Sequence, residues 1–258
     1  VSNRISRVFE EARRRSRKVL VAYMMAGDPS PAASVDAFEE CVRGGADILE
    51  IGFPFSDPIA DGQTIQKAAS RALTAGVRLD TVLDIAREVR RRVDVPIVLM
   101  GYVNPVLSYG LERFVQACVS AGVDGLILPD LPPEEATELL AFADRAGIAP
   151  IFLSAPTSTD RRLQAAAQAS RGFTYFVSVT GVTGERRALP DVAEPLARLR
   201  AVSKVPVVVG FGVNGPEAAK HLSKDADGVV VGSALVERHS RGEPIAPFVR
   251  SLSDAINS

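Results

Sequence analysis

Short apolar runs recur along the whole chain at a steady beat: VLVAYMM from 19, DILEI from 47, PIVLM from 96, DGLIL from 124, APIFL from 149, FTYFVSV from 173, VPVVV from 205 and DGVVV from 227. Between them lie stretches of helical period, such as DTVLDIAREVRRRV from 80 and PPEEATELLAFADRAG from 132. Nearly continuous apolar runs suit strands buried on both faces, and a helix after each strand is the connection that parallel strands require. The alternation predicts an α/β fold: one (β/α)8 TIM barrel, a single domain over residues 1–258. An extra helix ends near Arg17, before strand 1. A second short extra helix, ALVERHSRG from Ala234, follows strand 8 and precedes a final helix near Pro244. A weak internal repeat agrees: GGADILEI (44–51), AGVDGLIL (121–128) and DADGVVV (225–231) each run from small residues through Asp into a strand. VPIV, APIF and VPVV each open a strand on proline, where the missing N–H costs least.

Composition narrows the class without changing the architecture. The 258 residues are 47% hydrophobic and 24% charged, with 30 basic against 31 acidic side chains, so there is no footprint for nucleic acid or an anionic membrane. The runs Arg13–Lys18 and Arg90–Arg92 are expected on solvated helix faces. Cys41 and Cys118 lie far apart in predicted helices and are expected as buried free thiols, and no apolar run is long enough to span a membrane. The expectation is a cytoplasmic protein.

In such barrels the chemistry sits where strands end and helices begin. After strand 2 comes GFPFSDPIADG; after strand 6, Thr180-Gly181-Val182-Thr183-Gly184; after strand 7, Gly210-Phe211-Gly212; after strand 8, Gly232-Ser233 at a helix start. The last three suit a phosphate, since glycine lets backbone N–H groups approach an anion and a helix N-terminus adds about half a positive charge. Each glycine read singly suits a tight turn equally well. Alternation puts Glu50 on the same face as Ile48, toward the barrel interior, where burial would raise its pKa toward acid–base work; a structural ion pair is the competing reading. Asp61 before Gly62 also reads as a helix N-cap, and Asp57 as a turn residue. The two histidines, His221 and His239, fall in late helices, and no lysine ends a predicted strand, which leaves carboxylates to do the chemistry.

LEIGFPFSDPIADGQTIQ (49–66), with GDP at 27–29, NP at 104–105, GVTG at 181–184, GFGV at 210–213 and GSALV at 232–236, resembles the α-subunit family of tryptophan synthase across essentially the whole chain. The resemblance implies cofactor-free retro-aldol cleavage of indole-3-glycerol phosphate to indole and glyceraldehyde 3-phosphate. It places the catalytic glutamate on Glu50 and the catalytic aspartate on Asp61. Phosphate binding falls on Gly184, Gly212, Gly232 and Ser233. Tyr23 and Tyr175 line the pocket, with core packing as the alternative for each, and Thr183 belongs to a loop that closes on Asp61. The resemblance further implies a pyridoxal-phosphate β subunit as partner in an α2β2 complex, met through Pro54, Asp57, Asn104 and Pro105. The chain departs from the family's usual pattern at Met24-Met25, Gln63 and Glu185, changes expected to tune rate or coupling. A stand-alone lyase, another phosphate-barrel enzyme such as an isomerase, and a non-catalytic regulatory subunit are the competing functions.

Overall fold

The computed structural model describes residues 3–178, 192–210 and 212–258. Its strands are β1 (Val19–Met25), β2 (Ile48–Gly52), β3 (Ile97–Met100), β4 (Gly125–Ile127), β5 (Ala149–Ile151), β6 (Leu153–Ser154), β7 (Thr174–Val177), β8 (Val207–Gly210) and β9 (Gly228–Val231). The helices are α1 (Arg4–Arg14), α2 (Pro31–Gly44), α3 (Gln63–Thr74), α4 (Leu79–Arg92), α5 (Val103–Tyr109), α6 (Leu111–Ser120), α7 (Thr137–Ala146), α8 (Asp160–Ala169), α9 (Ala193–Val202), α10 (Pro216–Ser223), α11 (Ser233–Ser240) and α12 (Ala246–Ile256). The extra helices expected before strand 1 and after strand 8 are α1 and α11.

All neighbouring strands pair in parallel, in the order β5-β4-β3-β2-β1-β9-β8-β7-β6. The two ends of that order are consecutive in the chain, separated by Phe152 alone. The fifth apolar run, expected as one strand, is therefore a stave broken at one residue, and the sheet curls into an eight-stave barrel. Phe152 turns its N–H out of the ladder to the Ser170 hydroxyl (3.0 Å), while its carbonyl accepts from Tyr175 N–H (3.1 Å).

Register shows how the ring closes. One row of neighbours runs from Tyr23 through Glu50, Val98 and Gly125 to Ala149. Beyond the seam, a row runs from Leu153 through Tyr175, Val208 and Gly228 to Val19. Stepping four residues up the broken stave and arriving four residues below Tyr23 gives an offset of eight, the stagger of an eight-stranded barrel. Parallel neighbours share a face, so both rows point the same way, into the barrel.

The Asp-then-strand repeat has a physical role at the opposite, N-terminal end. Asp47, Asp124 and Asp227 each accept a hydrogen bond from an amide at the start of a neighbouring strand, at Leu20 (2.9 Å), Ile97 (2.9 Å) and Val207 (2.8 Å). Each is matched by arginine: Arg17 on Asp47, Arg4 and Arg90 on Asp124, Arg200 on Asp227. Arg13, Arg14, Arg15, Arg91 and Arg92 are exposed, as expected of solvated faces, and the reading is corrected at Arg17, Lys18 and Arg90 alone. Arg90 is largely enclosed between Asp124 and the Gly122 carbonyl, and Lys18 reaches the Ala226 carbonyl, because the strand starts need cations to balance their carboxylates. Cys41 and Cys118 are buried free thiols in α2 and α6.

Candidate active site

Glu50 is 1% exposed, on the inner face of β2 beside Tyr23 of β1. Neither of its carboxylate oxygens has a hydrogen-bond partner among the described residues. Burial, reinforced by the charge of Asp61, pushes its pKa up to about 8. Among the described residues no cation pairs with it, which disfavours the structural ion-pair reading.

Asp61 sits in the loop between β2 and α3. Gly62, not Asp61, occupies the N-cap of α3, and it makes no side-chain cap, so the capping alternative fails. The Asp61 carboxylate instead accepts a hydrogen bond from the Tyr102 hydroxyl (3.1 Å), which itself accepts from the Ala60 N–H (3.0 Å). Burial raises Asp61 to about 6, partly opposed by the Tyr102 bond. Tyr102 stacks on Phe55 with ring centroids 5.3 Å apart, tying the loop after β2 to the end of β3. Sequence reading passed over Tyr102, although it directly follows the third apolar run at Gly101 and the strand-end rule points there.

Tyr23 and Tyr175 are both buried. A Cβ at Gly52 would lie 2.3 Å from the Tyr23 hydroxyl, and one at Gly210 would lie 2.1 Å from the Tyr175 hydroxyl. Each ring therefore lies across the end of a neighbouring strand, over a glycine that leaves it room. Burial and the charges of Asp61 and Glu50 hold both phenols well above their ordinary pKa, so the two rings and two carboxyls form one electrostatic cluster. Met25 pairs with Gly52 and shares the inner face, whereas Met24 pairs with Ile51 and faces the helices; of that departure only Met25 meets the mouth.

Gly232 stands at the N-cap of α11 without a side-chain cap, and Ser233 is its exposed first residue. A Cβ on Gly232 would come 3.3 Å from the Tyr23 ring, so this helix start adjoins the same ring that borders Glu50. Gly212 lies just after β8 with φ +76°, a backbone state that suits glycine. Gly184, Thr183 and Glu185 lie outside the described residues. Around the barrel, β7, β8, β9, β1, β2 and β3 are consecutive neighbours, and their ends supply Tyr175, Gly212, Gly232, Tyr23, Glu50 and Tyr102 in that order.

The loop after β2 and the start of α5 carry the residues expected at a partner contact. Asp57 and Asn104 are exposed and Pro105 is half-buried, while Pro54 is buried. Asp57 also closes a turn through its carbonyl to Ile59 N–H (2.9 Å). Ile59 is 86% exposed and Leu107 57%, large apolar side chains that sequence reading did not single out. Gln63 is exposed at the first turn of α3.

A family model described as tryptophan synthase alpha chain matches residues 9–246. The chain is 50% identical to the tryptophan synthase alpha chain of Geobacter sulfurreducens over 263 residues, covering 99% of this chain and 100% of that one. It is 48% identical to that of Geotalea uraniireducens, covering 99% and 98%. Among solved structures it resembles tryptophan synthase of Mycobacterium tuberculosis with a TM-score of 0.94 at 40% identity, and a protein of Aquifex aeolicus with a TM-score of 0.93 at 42% identity, each over 100% of both chains.

Proposed function

Because this chain belongs to the tryptophan synthase alpha chain family, we propose that it cleaves indole-3-glycerol phosphate to indole and glyceraldehyde 3-phosphate by acid–base chemistry, with no cofactor of its own. The observation that carries this reading is a pair of carboxyls at one barrel mouth in unlike settings: Glu50 is buried without a donor, which pushes its pKa up to about 8, whereas Asp61 accepts a hydrogen bond from Tyr102 that opposes its own rise to about 6. These settings favour Glu50 as the acid and Asp61 as the base. Glu50 delivers its proton to the ring carbon bearing the side chain while Asp61 accepts the indole N–H proton, which leaves an indolenine. The Glu50 carboxylate then takes the proton of the adjacent side-chain hydroxyl. The carbon–carbon bond breaks, its electrons return to the ring, the ring nitrogen recovers its proton, and the aldehyde leaves.

The uncapped start of α11 at Gly232 and Ser233, with Gly212 beside it, supports phosphate binding there, since first-turn N–H groups and the helix dipole favour an anion. Gly184 and Thr183 take their roles, phosphate contact and closure on Asp61, from the family pattern. Exposed Ile59 and Leu107 beside Asp57 and Asn104 support docking of a pyridoxal-phosphate β subunit in an α2β2 assembly, with Pro54 and Pro105 shaping that surface. The unpaired thiols Cys41 and Cys118 support a reducing, cytoplasmic setting.

Indole release from indole-3-glycerol phosphate, measured with the chain alone and with a tryptophan synthase β subunit added, tests this. Slow release that rises with the partner is expected. In Glu50→Gln, release is expected to fall by about 10²–10⁴-fold or more. No release by the wild-type chain under either condition would sink the lyase reading, and release by Glu50→Gln within a few-fold of wild type would take Glu50 out of the mechanism.

A further inference from the structure

Glu50 has to serve in two charge states. As a neutral acid it tolerates a site without donors; as the anion left after proton delivery it does not, because a buried carboxylate needs hydrogen bonds. The titratable groups that face it are Asp61 from the loop after β2, Tyr23 from β1 and Tyr175 from β7, with Tyr102, at the start of α5, further out. When Glu50 is an anion, Asp61 holds the ring proton for its return to the nitrogen, and Tyr102 already spends its own proton on Asp61.

Tyr23 is differently placed. It is the register partner of Glu50 on the adjoining strand, about 4.8 Å away across the ladder. Its hydroxyl lies over Gly52, two residues beyond Glu50 on the same inner face. Among the described residues that hydroxyl makes no hydrogen bond. Packing against Gly232 needs only the ring; the oxygen adds nothing to that contact and obliges position 52 to be glycine. The hydroxyl and the Glu50 carboxyl share one inner face at the barrel mouth, which makes the ionised carboxyl an acceptor for it in another state of the site.

We propose that Tyr23 is a positioning residue for this reaction: when Glu50 gives up its proton, the carboxylate turns onto the Tyr23 hydroxyl and accepts its hydrogen bond, which fixes the anion for the second proton transfer. No proton leaves the phenol. Burial and the neighbouring negative charges keep it neutral, so it donates a hydrogen bond without competing as an acid. The kinetic consequence rests on the lyase reading above; the ionisation of Glu50 does not.

The test is Tyr23→Phe, which removes one oxygen and keeps the ring. The Glu50 carboxyl is followed by infrared or carbon-13 titration in the unliganded chain, together with the pH profile of indole release. Loss of a bond to a charged acceptor should weaken the acidity of Glu50 about tenfold, raising its titration midpoint by about one pH unit. The kcat for indole release should fall with little change in KM. An unmoved Glu50 midpoint in Tyr23→Phe overturns the proposal, as does a midpoint that moves only in the companion variant Tyr175→Phe, which would hand the role to Tyr175. A chain that releases no indole at all, yet shows the shifted midpoint, would refute the lyase reading and leave the Tyr23–Glu50 bond standing.

Discussion

A carboxylic acid buried without a donor weakens the fold once it loses its proton. An ordinary glutamate loses that proton near 4.5, whereas Glu50 keeps it to about 8. Between those pH values the folded chain binds a proton that the unfolded chain has released, so stability falls as pH rises through the window and levels off above it. At one pH unit per 1.4 kcal/mol, the cost at pH 7 is roughly 3 kcal/mol. Glu50→Gln is therefore expected to match wild type near pH 4 and to exceed it by roughly that amount at pH 7, in urea unfolding at the two pH values. Parallel pH dependence in both proteins would mean that the carboxyl is not held in its neutral form. The inward direction of Glu50 was legible from strand alternation alone. The setting of Asp61 was legible only in part, because Asp before Gly at a helix start fits a cap equally well until Tyr102 is seen holding it.

Among elements, the strand starts carry the balance of charge. Asp124 accepts from Arg4 (3.0 Å), Arg90 (2.8 Å) and the Ile97 amide (2.9 Å), so one side chain joins α1, α4, β3 and β4. Asp124→Ala strands a largely buried Arg90 and leaves an amide unpaired, and is expected to cost about 3–5 kcal/mol. Because the clamp lies at the end of the barrel away from Glu50, indole release per folded molecule should stay at the wild-type level. A fall in kcat matching the loss of stability would show that the two ends of the barrel are coupled. The repeat that placed an aspartate before three strands was visible in the sequence. Its arginine partners were not, since a charge run says nothing of which member turns inward; only packing separates Arg90 from the more exposed Arg91. Tyr102 escaped for a related reason, its function being set by a loop that folds back from β2 rather than by its own neighbours.

At the scale of the molecule, periodicity reported eight staves and their burial but not how they close. Closure joins residues that no local pattern links: the seam depends on Ser170, at the end of α8, satisfying the amide that Phe152 withdraws from the ladder. Ser170→Ala should leave that buried N–H without a partner and cost about 1–3 kcal/mol in denaturant unfolding, whereas a neutral substitution would mean that the seam amide is satisfied by other means. The rings lying over glycines around the mouth have a consequence of another kind. Tyr23 over Gly52, Tyr175 over Gly210 and Phe53 over Gly101 leave no space for a methyl group, with contacts of 2.1–2.3 Å to any Cβ placed there. Each pair can change along a lineage in one order only: the ring must shrink before the glycine can grow. A descendant that exchanges the glycine first is expected to lose its fold or its site, so the pocket's history is written as linked pairs rather than as independent letters.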